Sequence, residues 1–168
     1  NTINQYLTVN QEHWPFSDGR MIRAISLLMD RAAIVRHYFH PQSEPTVNLL
    51  NFCNPFAKTY PVARAEAEAV RLAAAVMGGE RYQAKLLIPQ YGLSRYSYKE
   101  VAEYLQMELK KLGIDLRILL LDSATHGRYT SAGNYDFSLG THGMANYAPE
   151  SLLQGYMTAE GRENKLYH

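Results

Sequence analysis

Apolar and polar positions change period several times along the chain, and one change stands out. Between Asn134 and Leu153, Tyr135, Phe137 and Leu139 first alternate with Asp136, Ser138 and Gly140, which predicts a strand. The alternation stops at Thr141-His142-Gly143-Met144-Ala145-Asn146-Tyr147. There Gly140, Gly143, Asn146 and the Ala148-Pro149 step disfavour both a continued strand and a helix. Pro149 then opens an apolar helical run through Leu152, Leu153, Tyr156 and Met157, and proline is well suited to a first helical position. A strand, an irregular loop rich in His, Asn, Tyr and Met, and a helix start form the usual geometry of an α/β ligand site. Ligands of such sheets sit outside the carboxyl ends of strands, facing helix N-termini.

The remaining pattern fills in a domain. Gln5–Asn10 alternates Tyr6, Thr8 and Asn10 against Leu7 and Val9, as a strand does. Ile22, Ile25, Leu28 and Met29 fall at helical spacing after an N-cap at Ser17 or Asp18, and Asp30 caps a second helix carrying Ile34, Val35 and Tyr38. Residues 41–61 hold four of the seven prolines and no clean period, a long irregular segment. Val62–Met77 is an alanine-rich helix stopped by Gly78-Gly79. Ala84–Pro89 is a short buried strand. Ser97 and Glu100 form a capping box for a helix to Leu112 that buries Val101, Leu105, Leu109 and Leu112, with Gly113 closing it. Ile114–Leu121 is apolar throughout its second half. That predicts a central strand covered on both faces, with Leu119 and Leu120 buried. Asp122 or Ser123 caps a short helix to about Ser131.

From residue 84 onward the order is strand, helix, strand, short helix, strand, helix. Connections of that length imply parallel pairing and right-handed crossovers, so the fold class is α/β with a mostly parallel sheet flanked by helices. The 168 residues suit one domain.

Composition narrows the function classes. A net charge of +1 sets up no broad field for nucleic acid or an anionic membrane. No run of eighteen apolar residues is present, so no segment here inserts into a membrane. Thirteen tyrosines suit a surface of adaptable polar and stacking contacts. The single cysteine, Cys53, has no partner within the chain for a disulfide and reads as a packing residue. The chain begins with Asn1 rather than Met, which reads as a processed chain or an excised piece of a longer one.

Two clusters invite chemistry and fall short of it. His37 and His40 are spaced to share one side of a helix, but two ligands do not make a metal site, so no metal or cofactor is expected. Asp122, Ser123 and His126 could be arranged as a hydrolytic triad, but helix capping accounts for the first two and no G-x-S-x-G elbow accompanies them.

Several stretches, in order, resemble one family. Tyr6-Leu7-Thr8-Val9-Asn10 is similar to Y-L-x-F-N. Pro15–Ile25 followed by Met29–Val35 resembles P-F-x-D-x-R-V-R-Q-A-L and A-I-D-R-x-x-I-V. Glu103–Leu116 resembles A-E-x-L-Q-x-x-L-x-K-I-G-I-x-V, Tyr129–Asp136 resembles Y-x-x-x-x-x-G-x-Y-D, and Gly143–Leu153 lies where G-x-x-x-x-D-P-x-x-F-L occurs. Gly161 and Asn164–Tyr167 echo a later G-x-x-N-Y. These are motifs of the family 5 extracellular solute-binding proteins of ABC transporters, the peptide- and nickel-binding group.

The resemblance implies a periplasmic-binding-protein-like lobe, with residues 1–168 a single domain that is part of the C-terminal lobe of a longer, two-lobed protein. It implies a non-enzymatic role: capture of a peptide, nickel chelate or similar small polar ligand between lobes, and delivery to a membrane permease in a periplasmic or extracytoplasmic setting. A ligand-sensing domain of a regulator is the alternative. Ligand contacts are expected from His142, Met144, Asn146 and Tyr147. Two departures bear on the ligand. Ala148 replaces the usual Asp before the proline, and Ala145 stands where peptide binders carry the Asp that pairs with a ligand's amino terminus. A buried ammonium lacking a counter-ion is costly, so the site is expected to favour a neutral or anionic group. Tyr147 matches a tyrosine that nickel-type members place near their chelate, whereas the histidine they use further on has no counterpart.

Overall fold

The computed structural model describes residues 2–46, 63–144, 150–158 and 160–161. Four strands and six helices follow one another along these residues: β1 Thr2–Val9, α1 Gly19–Leu28, α2 Arg31–Tyr38, α3 Glu66–Met77, β2 Tyr82–Pro89, α4 Tyr98–Leu109, β3 Ile114–Leu121, α5 Ser123–Ser131, β4 Phe137–Met144 and α6 Glu150–Met157. Helix starts follow capping chemistry. Asp18 accepts the Arg20 N–H, Asp30 that of Ala33 and Asp122 that of Thr125, so three of the helices begin where a carboxylate satisfies a free amide. The capping box expected at Ser97 does not form. Its hydroxyl donates instead to the Tyr38 carbonyl at 2.6 Å, tying the start of α4 to the end of α2.

The sheet order is β1-β4-β2-β3. β2 runs parallel to β3 and to β4, and β1 lies antiparallel along β4 from Thr2↔Met144 to Val9↔Phe137. The mostly parallel α/β arrangement read from the sequence is therefore present, with one antiparallel strand added. Leu86 and Ile88 of β2, Ile114 and Leu116 of β3, and Phe137 and Leu139 of β4 point to one face. There they meet Met21 and Leu28 of α1, Ala69 and Ala73 of α3, and Leu105 and Leu109 of α4. Leu87 is buried outside that cluster. It belongs to the opposite face, over which α5 packs and lays His126 against Ser138 of β4.

β3 corrects the expectation of a central strand. Among the described residues it pairs with β2 alone, at the end of the sheet. Leu119 is half-buried and Leu120 is 50% exposed. An unbroken apolar run meets the requirement of a doubly covered strand, but a strand also reads this way when only its first half is under helices. α4 covers Ile114 and Leu116 and leaves Leu120 uncovered.

At the amino ends of the parallel strands, buried polar groups fix the register. Asn10, fully buried, donates to the carbonyls of Gly133 and Tyr135 and accepts the Glu12 N–H. The Asp136 carboxylate accepts the Lys85 N–H at 2.8 Å and the Tyr82 hydroxyl at 3.0 Å, and lies 3.0 Å from His13 Nδ1. Every acceptor site so used is one that burial would otherwise leave unpaired.

Candidate functional site

The carboxyl ends of β2, β3 and β4 lie at one end of the sheet, opposite the Asp136 network. The connection after β2 leads to α4 on the core face. The connection after β3 leads to α5 on the other face, and Tyr156 of α6 meets Tyr6 and His142 on that second face too. Adjacent strands whose following helices lie on opposite faces leave a crevice between their loops, and this is where open α/β sheets bind ligands. Here the crevice falls at the end of β2, between β4 on one side and β3 on the other.

β4 supplies the first wall, and it runs further than the sequence indicates. The residues Thr141–Met144, read as loop, are strand and pair with β1 out to Thr2↔Met144. Gly140 is not a hinge that releases the chain from the sheet. It lies within the strand opposite Tyr6, and a Cβ there would meet the Tyr6 ring at 2.9 Å, so glycine makes room for the aromatic ring to cross its backbone. His142 is consequently a strand residue rather than a loop residue. It stands opposite Asn4, whose Nδ2 is 3.5 Å from His142 Nε2. Its ring packs on Tyr6 at 5.2 Å and on Tyr156 at 5.6 Å. Of the other expected contacts, Met144 ends β4 opposite Thr2, while Asn146 and Tyr147 lie outside the described residues, as do Ala145, Ala148 and Cys53.

The second wall was not picked out from the sequence. After Pro89 the chain makes a short 3-10 turn, Gln90–Gly92, in which Tyr91 is 65% exposed. The turn is held tightly: a Cβ on Gly92 would lie 2.5 Å from the Tyr98 ring and 2.8 Å from that of Tyr96. Tyr98 is fully buried and its hydroxyl donates to Oγ1 of Thr141 at 3.2 Å, which couples this turn to β4. Tyr91 is thus an exposed aromatic on a fixed mount beside the switch point, with Leu93 also exposed at 37% just beyond it. An aromatic two residues after a strand-ending proline and directly before a glycine was the available signal. Gln5, opposite Thr141, has both polar atoms of its amide out of solvent and without a partner among the described residues.

The two clusters set aside above are placed clearly. His37 and His40 are exposed, and among the described residues no three His, Cys, Asp or Glu side chains stand together to hold a metal. Asp122 is engaged by the Thr125 N–H, and His126 turns into the sheet, where its Nε2 lies 3.3 Å from Ser138 Oγ. Burial holds the His126 imidazole below the usual histidine pKa and therefore favours its neutral form. Asp122 and His126 are both committed to structural contacts and do not assemble a triad with Ser123.

Comparison with known proteins agrees with the α/β fold. No curated protein matches the chain in sequence. Solved structures share its fold. HbpA2 from Haemophilus parasuis superposes with a TM-score of 0.81 at 14% identity, covering 98% of this chain and 34% of that one. NikA from Brucella suis, solved with Fe(III)-EDTA, gives 0.71 at 18% identity, with 98% and 35% covered. DppA from Helicobacter pylori, solved with the peptide STSA, gives 0.69 at 14% identity, with 98% and 33% covered. The chain spans about a third of the length of each. The family model for bacterial extracellular solute-binding proteins, family 5 (middle), matches residues 1–164, and the chain belongs to that family.

Proposed function

We propose that this chain is part of one lobe, the C-terminal lobe, of a two-lobed solute-binding component of an ABC importer. The lobe holds a small polar ligand at the carboxyl ends of β2 and β4 and hands it to a membrane permease outside the cytoplasm. The observation that carries the reading is the switch point at the end of β2, flanked by β4 with His142 and by the turn that presents Tyr91. Closure of a second lobe over such a crevice removes water from both walls, and a ligand that touches both lobes shifts the equilibrium toward the closed state. Binding and release need no covalent step, which fits a role other than catalysis. Among the solved structures that share the fold, one was solved with a metal chelate and one with a peptide. His142–Tyr147 contains no acid, so this site favours a neutral or anionic group over a free ammonium. To this site we assign His142, Met144, Asn146 and Tyr147 as ligand contacts, and add Tyr91 from the turn after β2.

The test is isothermal calorimetry on the intact protein with three probes: a free-amine tetrapeptide, its N-acetylated form and a nickel–histidine chelate. The acetylated peptide or the chelate should bind more tightly than the free-amine peptide. Tyr91→Ala and Tyr147→Ala should each weaken binding about tenfold while moving the melting temperature little. Unchanged affinity in both variants would remove this site assignment.

A further inference from the structure

We infer that Tyr6 is a positioning residue for the site: from β1 it fixes the His142 side chain at the end of β4 and ties α6 to the same point. The inference rests on the reading of His142 as a ligand contact, but its geometry is independent of it. Tyr6 lies opposite Gly140 in the β1–β4 register, two positions before His142 on the same face of β4. Its ring crosses Gly140 closely enough that an alanine Cβ would meet Cζ and Oη at 2.9 Å. Beyond the glycine, one side of the ring meets His142 at 5.2 Å, tilted by 37°. Tyr156 of α6 meets it edge-on at 6.2 Å and donates its hydroxyl proton to the Tyr6 oxygen at 3.2 Å. His142 and Tyr156 also touch each other, at 5.6 Å, so three rings from three elements close into a triangle. Asn4, two residues before Tyr6, reaches the far nitrogen of His142.

The chemistry of the triangle is that of a clamp. The imidazole is held between two phenol rings and an amide. It cannot turn about χ1 without breaking an aromatic contact. β1 is separated from β4 and α6 by more than a hundred residues of sequence. Whatever displaces β1 is therefore transmitted to the histidine and to the last turn of the helix that follows it.

The experiment is NMR of the intact protein labelled with 15N and 13C at histidine, comparing wild type with Tyr6→Phe, Tyr156→Phe, the double variant and Gly140→Ala. Tyr6→Phe keeps the ring and removes the hydroxyl bridge to Tyr156. The two single variants should move the His142 ring resonances in the same way, and the double variant should move them no further, because each removes the same bond. Gly140→Ala, which pushes the ring away, should move them more. In calorimetry with the nickel–histidine chelate or the acetylated tetrapeptide, Tyr6→Phe should weaken binding about threefold to tenfold. His142 resonances that stay fixed in Tyr6→Phe and in Gly140→Ala would overturn the inference. If the resonances move but wild type binds neither probe, the clamp stands and the assignment of His142 to the ligand site fails.

Discussion

The Tyr98 hydroxyl donates to Oγ1 of Thr141 at 3.2 Å, so the first residue of α4 is bonded to a residue near the carboxyl end of β4. The contact joins the two walls of the candidate site from beneath, because Tyr98 also carries the Gln90–Gly92 turn on its ring. Tyr98→Phe should leave the ring in place and cost about 1 kcal/mol, the net worth of one hydrogen bond. Gly92→Ala forces a Cβ to within 2.5 Å of a buried ring, and overpacking of that kind costs about 1–3 kcal/mol. Urea denaturation measures both. A larger loss in Tyr98→Phe than in Gly92→Ala would show that the bond, and not the packing, holds the turn.

At the other end of the sheet Tyr82 reports on Asp136. Burial, with the adjacent carboxylate's charge and hydrogen bond, pushes the Tyr82 phenol up to about 12 from an ordinary value near 10. The folded state thus keeps a proton that the unfolded state releases earlier. Stability from this group is complete below pH 10 and is lost as pH rises from 10 toward 12. Ultraviolet titration of tyrosine should show Tyr82 ionising late, with Tyr104, whose burial also raises it, among the late phenols. Asp136→Asn should bring Tyr82 earlier by removing the charge while burial remains. An unchanged Tyr82 in Asp136→Asn would mean that the carboxylate contributes nothing to the shift.

Much of this fold was legible because its signals are local. Asp18, Asp30 and Asp122 each cap the helix their position indicates, and the Ser123–Ser131 helix has the expected limits. What escaped depends on contacts distant in sequence. Ile118–Leu121 is apolar whether the strand is central or at an edge, and only the placement of α4 and of a neighbouring strand decides which. The glycine at 140 reads as a loop signal until Tyr6, far away in sequence, is seen lying across it. The same partner converts Thr141–Met144 from loop to strand, since β1 supplies the ladder that the local sequence does not call for. His142 lies toward the carboxyl end of β4, and the sequence could not show that it packs in a cluster of aromatic rings. It gave Tyr91 no prominence, because exposure beside a switch point is a property of topology.

His126 makes the α5 contact sensitive to acid. The imidazole is 8% exposed, bonds Ser138 and is held below its ordinary pKa by burial. The unfolded state therefore takes up a proton more readily than the folded state. Stability is full above an unfolded-state pKa of about 6.5 and falls as pH drops through the lower folded value. Melting temperature should decline from pH 7 to pH 5 in wild type. His126→Gln, which keeps a hydrogen-bonding group and does not titrate, should flatten the part of that slope owed to His126. An identical slope in the two proteins would place the acid sensitivity elsewhere.

Gln5 offers a sharper test of what the site lacks. Its amide nitrogen and oxygen are both out of solvent, and no described residue pairs with either. An unpaired buried polar group costs about 1–3 kcal/mol. Gln5 lies on the core-facing side of β1 with Leu7 and Val9, and leucine there keeps a similar volume without the penalty. In the 168-residue chain alone, Gln5→Leu should therefore leave stability to urea unchanged or raise it by about 1 kcal/mol. In the intact protein the same substitution separates two cases. Where the amide finds its partner in the rest of the protein or in the ligand, Gln5→Leu lowers stability or affinity there, while remaining neutral in the shorter chain. A loss of stability in the shorter chain would instead show that the amide is already paired within these residues, and Gln5 would have no part in binding.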